Sequence, residues 1–201
     1  MLELWQAHLT FALLLFLLIP GFGLLSGGRS LVLLGCLLIG FVPLAGLSLA
    51  AYVRSFTDDL AITTLLALLF ASLVRIGLLA RLKAPQGLQL LLLFGLLALF
   101  LYPATLGLTA SDPYRLGYSP RSLLVVLALV ALALLLARNW LGVWMLGLAT
   151  LAFSLGLKSS GNYWDYLIDP LLALYCWGAL IWHAVIRLGL RQRKTQLPMR
   201  L

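Results

Sequence analysis

The sequence predicts an all-α fold, a polytopic bundle of about seven transmembrane helices, and three observations lead to that prediction. Hydrophobic residues make up 63% of the chain, the mean hydropathy is +1.09, and only 10% of the residues are charged. Soluble domains carry about 25% charged residues, so this composition is typical of a chain surrounded by lipid. The long runs, such as residues 90–101, are apolar on every face, whereas the strands of a transmembrane barrel alternate in polarity. Helices are therefore expected throughout.

Clusters of charged residues, Gly, Pro and Ser divide the chain into seven apolar segments. A helix needs roughly 20 apolar residues to cross a bilayer core about 30 Å thick. The fifth and sixth segments are joined only by Arg138 and Asn139, which predicts a tight helical hairpin; one long broken helix is the alternative and would leave six spans. We expect a single transmembrane domain over residues 1–190 and a basic cytoplasmic tail over residues 191–201. The expected spans are about 6–25, 30–53, 60–80, 87–108, 122–137, 140–157 and 167–188.

The first segment is interpreted as a retained helix. A secretory signal peptide begins with positive charge, whereas the only charged residue before this apolar run is Glu3.

The charges predict the orientation of these spans. With the N-terminus outside and seven crossings, ten of the fourteen cations fall on the cytoplasmic side, as the positive-inside rule requires. These ten are Arg29, Arg75, Arg81, Lys83, Arg138, Arg187, Arg191, Arg193, Lys194 and Arg200. The outer side keeps Arg54, Arg115, Arg121 and Lys158, together with all six acidic residues, Glu3, Asp58, Asp59, Asp112, Asp165 and Asp169. Arginine outnumbers lysine eleven to three, a bias that we associate with GC-rich bacteria, so we expect a multi-pass protein of a bacterial inner membrane.

Several classes of function find no support in the sequence. The net charge of +8 does not indicate nucleic acid, because the basic residues lie at the ends of apolar segments rather than in a stripe interleaved with aromatic residues. Cys36 and Cys176 are isolated within apolar runs and are expected to be small buried hydrophobic side chains. No phosphate-binding, zinc-protease or serine-hydrolase motif is present, so no metal and no cofactor are expected.

Residues 159–170 form the most informative polar segment. Asp165 and Asp169 are four residues apart, so on a helix they would share one face and, with Asn162, would hold a cation, bind a sugar, or act as acid and base. The simpler interpretation is structural: Asp169 before Pro170 is a good helix N-cap, and the aromatic residues form an ordinary belt at the membrane interface. Those aromatic residues are Tyr163, Trp164 and Tyr166.

A second polar segment, residues 111–121, lies in the outer loop before the fifth span. Its simpler interpretation is an exposed turn, because it is rich in Pro and Gly. Against that interpretation, Arg115 is suited to bind a phosphate or to pair with Asp165 or Asp169. With Asp58 and Asp59 from a third loop, these segments would make one binding or docking surface. The candidate residues are Asp58, Asp59, Asp112, Tyr114, Arg115, Tyr118, Asn162, Trp164, Asp165 and Asp169.

Two polar residues of the last span are given a simpler interpretation than a functional one. His183 and Arg187 lie near its inner end, where we expect their side chains to reach the headgroups.

Three functions remain open. We expect a non-catalytic subunit or assembly partner of a cell-envelope complex, which contacts the lipid bilayer and another membrane protein. The alternative is an enzyme or flippase-like protein that acts on a lipid-linked or phosphorylated substrate at the outer leaflet. A small transporter or channel is the third, and it is disfavoured because the middle of the spans lacks ionisable residues.

Overall fold

A computed structural model describes residues 4–21 and 23–195, and helices make up most of the described chain. The all-helical fold class is therefore confirmed. Residues 196–201 of the expected basic tail lie outside the described residues. The helices are α1 (Trp5–Leu18), α2 (Ser26–Ile39), α3 (Leu49–Thr57), α4 (Ile62–Ile76), α5 (Ala84–Thr105), α6 (Arg121–Leu136), α7 (Trp140–Ser154), α8 (Trp164–Leu167) and α9 (Pro170–Thr195), with a 3₁₀ helix at Pro113–Gly117 and short strands β1 (Pro43–Leu44) and β2 (Leu47–Ser48).

The segment expected as the second span, residues 30–53, is not one continuous helix. Helix α2 ends at Ile39, and β1 pairs antiparallel with β2 through a turn at Ala45 and Gly46, both of which have positive φ angles (45° and 90°). Pro43 explains part of the break, because proline cannot donate the hydrogen bond that a continuing helix needs. A new helix, α3, then begins after Ser48, whose side chain accepts a hydrogen bond from the Ala51 amide at 3.2 Å.

Residues 121–154 form the predicted helical hairpin rather than one broken helix. Helices α6 and α7 are separate and pack against each other, and Arg138 reverses the chain with a φ of 55°. The Asn139 side chain then caps α7, because its Oδ1 accepts a hydrogen bond from the Gly142 amide at 3.3 Å. Asn139 is fully buried, and its Nδ2 donates to the Gln86 carbonyl at 3.0 Å, which ties the hairpin to α5.

Apolar side chains fill two cores and also cover much of the outer surface of the helices. The larger core lies among α4, α5, α6, α7 and α9, and Phe94 and Met145 are buried within it. The smaller core joins α1 to α2 and contains Phe16 and Cys36. On the outward faces large apolar side chains are exposed, such as Leu129 at 63%.

Helix length separates two helices from the others. Ala84–Thr105 and residues 170–187 of α9 are long and apolar enough to cross a membrane. The five shorter apolar helices, α1, α2, α4, α6 and α7, have 14 to 16 residues, or about 21–24 Å at 1.5 Å per residue. A seven-span bundle therefore remains a prediction.

Arg75 lies near the end of α4 and binds the end of another helix. Its guanidinium donates hydrogen bonds to the carbonyls of Phe16, Leu17 and Ile19, which close the last turn of α1, and it stacks over the Phe16 ring at 4.8 Å. The last carbonyls of a helix lack partners within the helix and carry partial negative charge. Arg75 therefore caps the C-terminal end of α1 by donating to these carbonyls.

Candidate functional site: a polar cleft between three connecting segments

A cleft of about 280 Å³ lies where the connections α3–α4, α5–α6 and α7–α9 meet, and we call it the polar cleft. It brings together five of the ten candidate residues, namely Asp58, Asp59, Tyr114, Asp165 and Asp169. Its lining is Thr57, Asp58, Asp59, Leu101, Tyr102, Thr105, Tyr114, Lys158, Ser159, Ser160, Asp165, Ile168, Asp169 and Pro170.

The carboxylates of Asp165 and Asp169 both line this cleft, but not in the predicted way. Helix α8 ends at Leu167, and Ile168 is extended with φ −153° and ψ 143°, so the two residues do not share one face of a helix. The shared face required one helix through both residues, and that condition is not met because α8 ends before Asp169. The predicted N-cap is confirmed: Asp169 Oδ1 accepts from the Leu172 amide at 2.8 Å, and Pro170 is the first residue of α9.

Asp169 also joins α9 to α4. Its Oδ2 accepts a hydrogen bond from the Ala61 amide at 2.8 Å, just before α4 begins. Two residues further on, the Thr63 hydroxyl donates to the Leu167 carbonyl at 2.6 Å. Both carboxylate oxygens of Asp169 are thus used in holding the fold.

Asp165 is held by hydroxyl groups. The Tyr114 hydroxyl donates to both of its carboxylate oxygens at 3.1 Å, and the Ser160 hydroxyl donates to Oδ2. Burial, and secondarily the charge of Asp165, raise the pKa of the Tyr114 phenol above its ordinary value. Tyr114 therefore remains a neutral donor to this carboxylate.

Four of the five residues from 162 to 166 are buried rather than exposed at a membrane interface. Asn162, Tyr163, Trp164 and Tyr166 are each at most 1% exposed, so the aromatic-belt interpretation was wrong. Their polar atoms bond to the neighbouring loop: Asn162 Nδ2 donates to the Tyr114 carbonyl at 3.0 Å, and Trp164 Nε1 donates to the Pro113 carbonyl at 2.9 Å. These hydrogen bonds hold the 3₁₀ helix against the buried residues.

Gly117 permits that close contact, and sequence reasoning did not single it out. A Cβ atom at this position would lie 1.7 Å from Asn162 Oδ1 and 2.8 Å from a carbon of the Trp164 ring. The Gly117 carbonyl accepts a hydrogen bond from the Tyr163 amide at 3.0 Å. Only glycine leaves room for this packing.

Lys158 is the second residue that sequence reasoning missed, because two of its three partners are distant in the chain. Its ammonium donates to the carbonyls of Asp59 and Asp165, each at 2.7 Å, and of Leu60 at 3.2 Å. Burial lowers the pKa of Lys158, and the charge of the surrounding carboxylates, Asp165 first, opposes that change. With three acceptors, the ammonium has no donor left over for a ligand.

Asp58 and Asp59 form the other wall of the polar cleft. Asp58 is exposed and has a φ of 54°, where the chain turns between α3 and α4. Asp59 Oδ2 pairs with Arg54 at 2.7 Å, while its Oδ1 is buried and has no hydrogen-bond partner among the described residues.

Three candidate residues, Asp112, Arg115 and Tyr118, are exposed and do not line the polar cleft. Asp112 caps the 3₁₀ helix by accepting from the Arg115 amide at 3.2 Å. The expected pairing of Arg115 with Asp165 or Asp169 is not seen in the described part of the chain. The structure therefore separates these three residues from the carboxylates.

No group of three or more His, Cys, Asp or Glu residues within residues 4–21 and 23–195 is arranged to hold a metal ion. Comparisons with protein-family models, curated proteins and solved structures give no match to this chain. The geometry of the polar cleft is thus the basis for any assignment.

Proposed function

We propose that this protein is a seven-span subunit or assembly partner of a bacterial inner-membrane complex, with its N-terminus outside. In this proposal it is not catalytic, and the polar cleft on the outer face binds a basic segment of a neighbouring membrane protein. The observation that carries the proposal is the acidic cleft itself, whose walls are held rigidly by internal hydrogen bonds.

Lipid contact is supported by the outward faces of the helices. Contiguous apolar patches larger than a few hundred Å² are rare on soluble monomers. Here large apolar side chains are exposed along several helices, for example Leu96 and Leu99 on α5 and Val125 and Leu132 on α6. Lipid chains are the natural cover for such faces.

The alternation of spans is supported by which connections meet. Segments expected outside contact each other: Lys158 bonds to Asp59, and Asn162 bonds to Tyr114. Segments expected inside also meet each other, since Arg75 binds the end of α1, and Arg29 donates to the Arg75 carbonyl at 2.8 Å. A bundle whose helices alternate in direction gathers its connections at two ends in this way.

Docking is favoured over catalysis because much of the polar chemistry in the cleft is already used by the fold. Lys158 donates its hydrogen bonds to backbone carbonyls, and Asp169 accepts its hydrogen bonds from backbone amides. The carboxylates of Asp58, Asp59 and Asp165 also line the cleft. Their negative charge is complementary to one or more cationic side chains of a partner.

A photo-reactive amino acid placed at Ser159, which is exposed and lines the polar cleft, tests this proposal. We expect a cross-link to one protein through a basic segment, identified by mass spectrometry. The same substitution at Tyr118, which is exposed but outside the cleft, is the positional control. The double variant Asp58→Asn/Asp165→Asn should lose the cross-link, and Asp112→Asn should keep it. Equal yields from positions 159 and 118, or an unchanged yield in the double variant, would overturn the proposal.

An enzyme acting on a lipid-linked or phosphorylated substrate is the second candidate. It is favoured by one observation: the size of the cleft, about 280 Å³, is close to that of small-molecule sites, and Asp165 lies within it beside two hydroxyl groups. In that case Asp165→Asn should abolish the function of the protein in the cell, whereas the cross-link at position 159 should persist. Loss of the cross-link together with the phenotype would favour docking instead.

A further inference from the structure

The inner part of α9 differs from every other long stretch of helix that the structure describes. Up to Cys176, α9 buries Leu172, Ala173 and Cys176 against the bundle. All seven residues from 181 to 187 are exposed, which is two full turns without a buried face. The exposed side chains include Ile181 at 65%, Trp182 at 66% and Val185 at 58%.

The sequence of this stretch is strongly basic. Residues 181–195 contain Arg187, Arg191, Arg193 and Lys194 and no acidic residue. Helix α9 continues to Thr195, so the predicted boundary between domain and tail at residue 190 falls inside a helix.

We infer that residues 181–195 form a lipid-binding element that recognises the anionic headgroups of the cytoplasmic leaflet. Charge complementarity selects this occupant. A second copy of the chain would bring two basic segments together, which is repulsive, whereas phosphate headgroups attract them. The apolar residues Ile181, Trp182 and Val185 would lie at the boundary between headgroups and acyl chains, where tryptophan is favoured.

The inference rests on the proposed membrane topology but not on the polar cleft. Positive-inside orientation alone would explain basic residues near the inner face. It would not require a preference for one kind of lipid around α9, and that preference is what separates the two explanations.

Trp182 provides a reporter within the element itself. The full chain is reconstituted into symmetric vesicles of phosphatidylcholine and phosphatidylglycerol, in which one lipid or the other carries brominated chains that quench tryptophan. Flotation of the vesicles with the protein first checks that it inserts. The quenching of Trp182 is obtained as the difference between the native chain and Trp182→Phe, because the chain has six tryptophans.

We expect brominated phosphatidylglycerol to quench Trp182 more than brominated phosphatidylcholine at equal mole fraction. Each basic residue near an anionic surface contributes about a fivefold factor, so Arg187→Gln/Arg191→Gln should remove most of this preference, and raised salt should weaken it. The matched double variant Arg81→Gln/Lys83→Gln, which removes two other inner cations, should retain it. Equal quenching by the two lipids in the native chain, or equal loss in both double variants, would overturn the inference. Failure to float would instead contradict the proposed membrane topology.

Discussion

At the scale of single residues, Gly117 shows how closely two outer segments approach. Gly117→Ala would place a methyl group against Asn162 and Trp164, both of which are buried and hydrogen-bonded. Overpacking of this kind costs about 1–3 kcal/mol. We expect a lower melting temperature in detergent, measured by tryptophan fluorescence or calorimetry.

Gly161 supplies the matched control for this substitution. It lies in the segment that contacts Gly117, has no atom within 4 Å of an added Cβ, and does not have a positive φ. Gly161→Ala should therefore leave the melting temperature nearly unchanged. Equal effects of the two substitutions would mean that the close contact at Gly117 does not exist.

The Tyr114 hydroxyl gives a prediction about pH. Because its pKa in the folded protein is raised above the ordinary value of 10.0, its stabilising contribution is complete below about pH 10 and is lost as the pH rises through the folded pKa. Tyr114→Phe should lower the free energy of unfolding by about 1 kcal/mol near neutral pH through loss of the bond to Asp165. It should also reduce the decline above pH 10, as measured by denaturant unfolding at several pH values.

Tyr175, which is exposed on α9, provides the comparison. Tyr175→Phe should change neither the stability at neutral pH nor the alkaline decline. A Tyr114→Phe variant that keeps the full alkaline decline would show that the phenol does not donate to Asp165 in the folded protein.

At the scale of elements, Arg75 connects α4 to the end of α1. Arg75→Met removes hydrogen bonds to three carbonyls and should let the small core between α1 and α2 open more often. Cys36 is buried in that core, so its modification by a maleimide should become about tenfold faster for a loss of about 1.4 kcal/mol. Cys176 lies in the larger core and is the internal reference, whose rate should not change. Equal acceleration at both cysteines would indicate global destabilisation rather than loss of a helix cap.

The apolar runs and the clusters of charged residues, Gly, Pro and Ser between them predicted most helices but not every break between helices. The hairpin at Arg138 and Asn139 was predictable because a short polar connection between two apolar runs has few solutions. The end of α2 was not, since Gly40 and Pro43 are also tolerated within transmembrane helices, where neighbouring groups can satisfy the freed carbonyls. An apolar run alone does not distinguish a kink from a β-hairpin.

The polar cleft was only partly predictable for a related reason. The sequence shows that Asp165 and Asp169 are close to each other, and the N-cap follows from Asp169 and Pro170. The role of Lys158 depends on carbonyls about a hundred residues away, and that of Gly117 on a contact with Asn162. Neither contact leaves a local pattern in the chain.

At the scale of the whole molecule, the lengths of the helices bear on how it would sit in a bilayer. The apolar helices of 14 to 16 residues are shorter than a hydrocarbon core of about 30 Å requires. Flanking apolar residues such as Leu78 and Leu79 after α4, both exposed, lengthen the apolar face. In a bilayer, local thinning would accommodate the remaining mismatch at modest cost.

The orientation can be tested by single cysteines introduced after both native cysteines are replaced by alanine. Positions 118 and 159 are exposed and belong to connections expected outside, whereas position 84 is exposed at the start of α5 on the side expected to be cytoplasmic. Arg81 and Lys83 lie just before residue 84, and the positive-inside rule predicts that a connection with such cations faces the cytoplasm. A membrane-impermeant thiol reagent added to intact cells should therefore label positions 118 and 159 but label position 84 only after lysis. Labelling of position 84 alone would reverse the orientation. Labelling of 118 without 159, with both reactive after lysis, would place the α5–α6 and α7–α9 connections, which both contribute to the polar cleft, on opposite sides of the membrane and rule out an outer docking site.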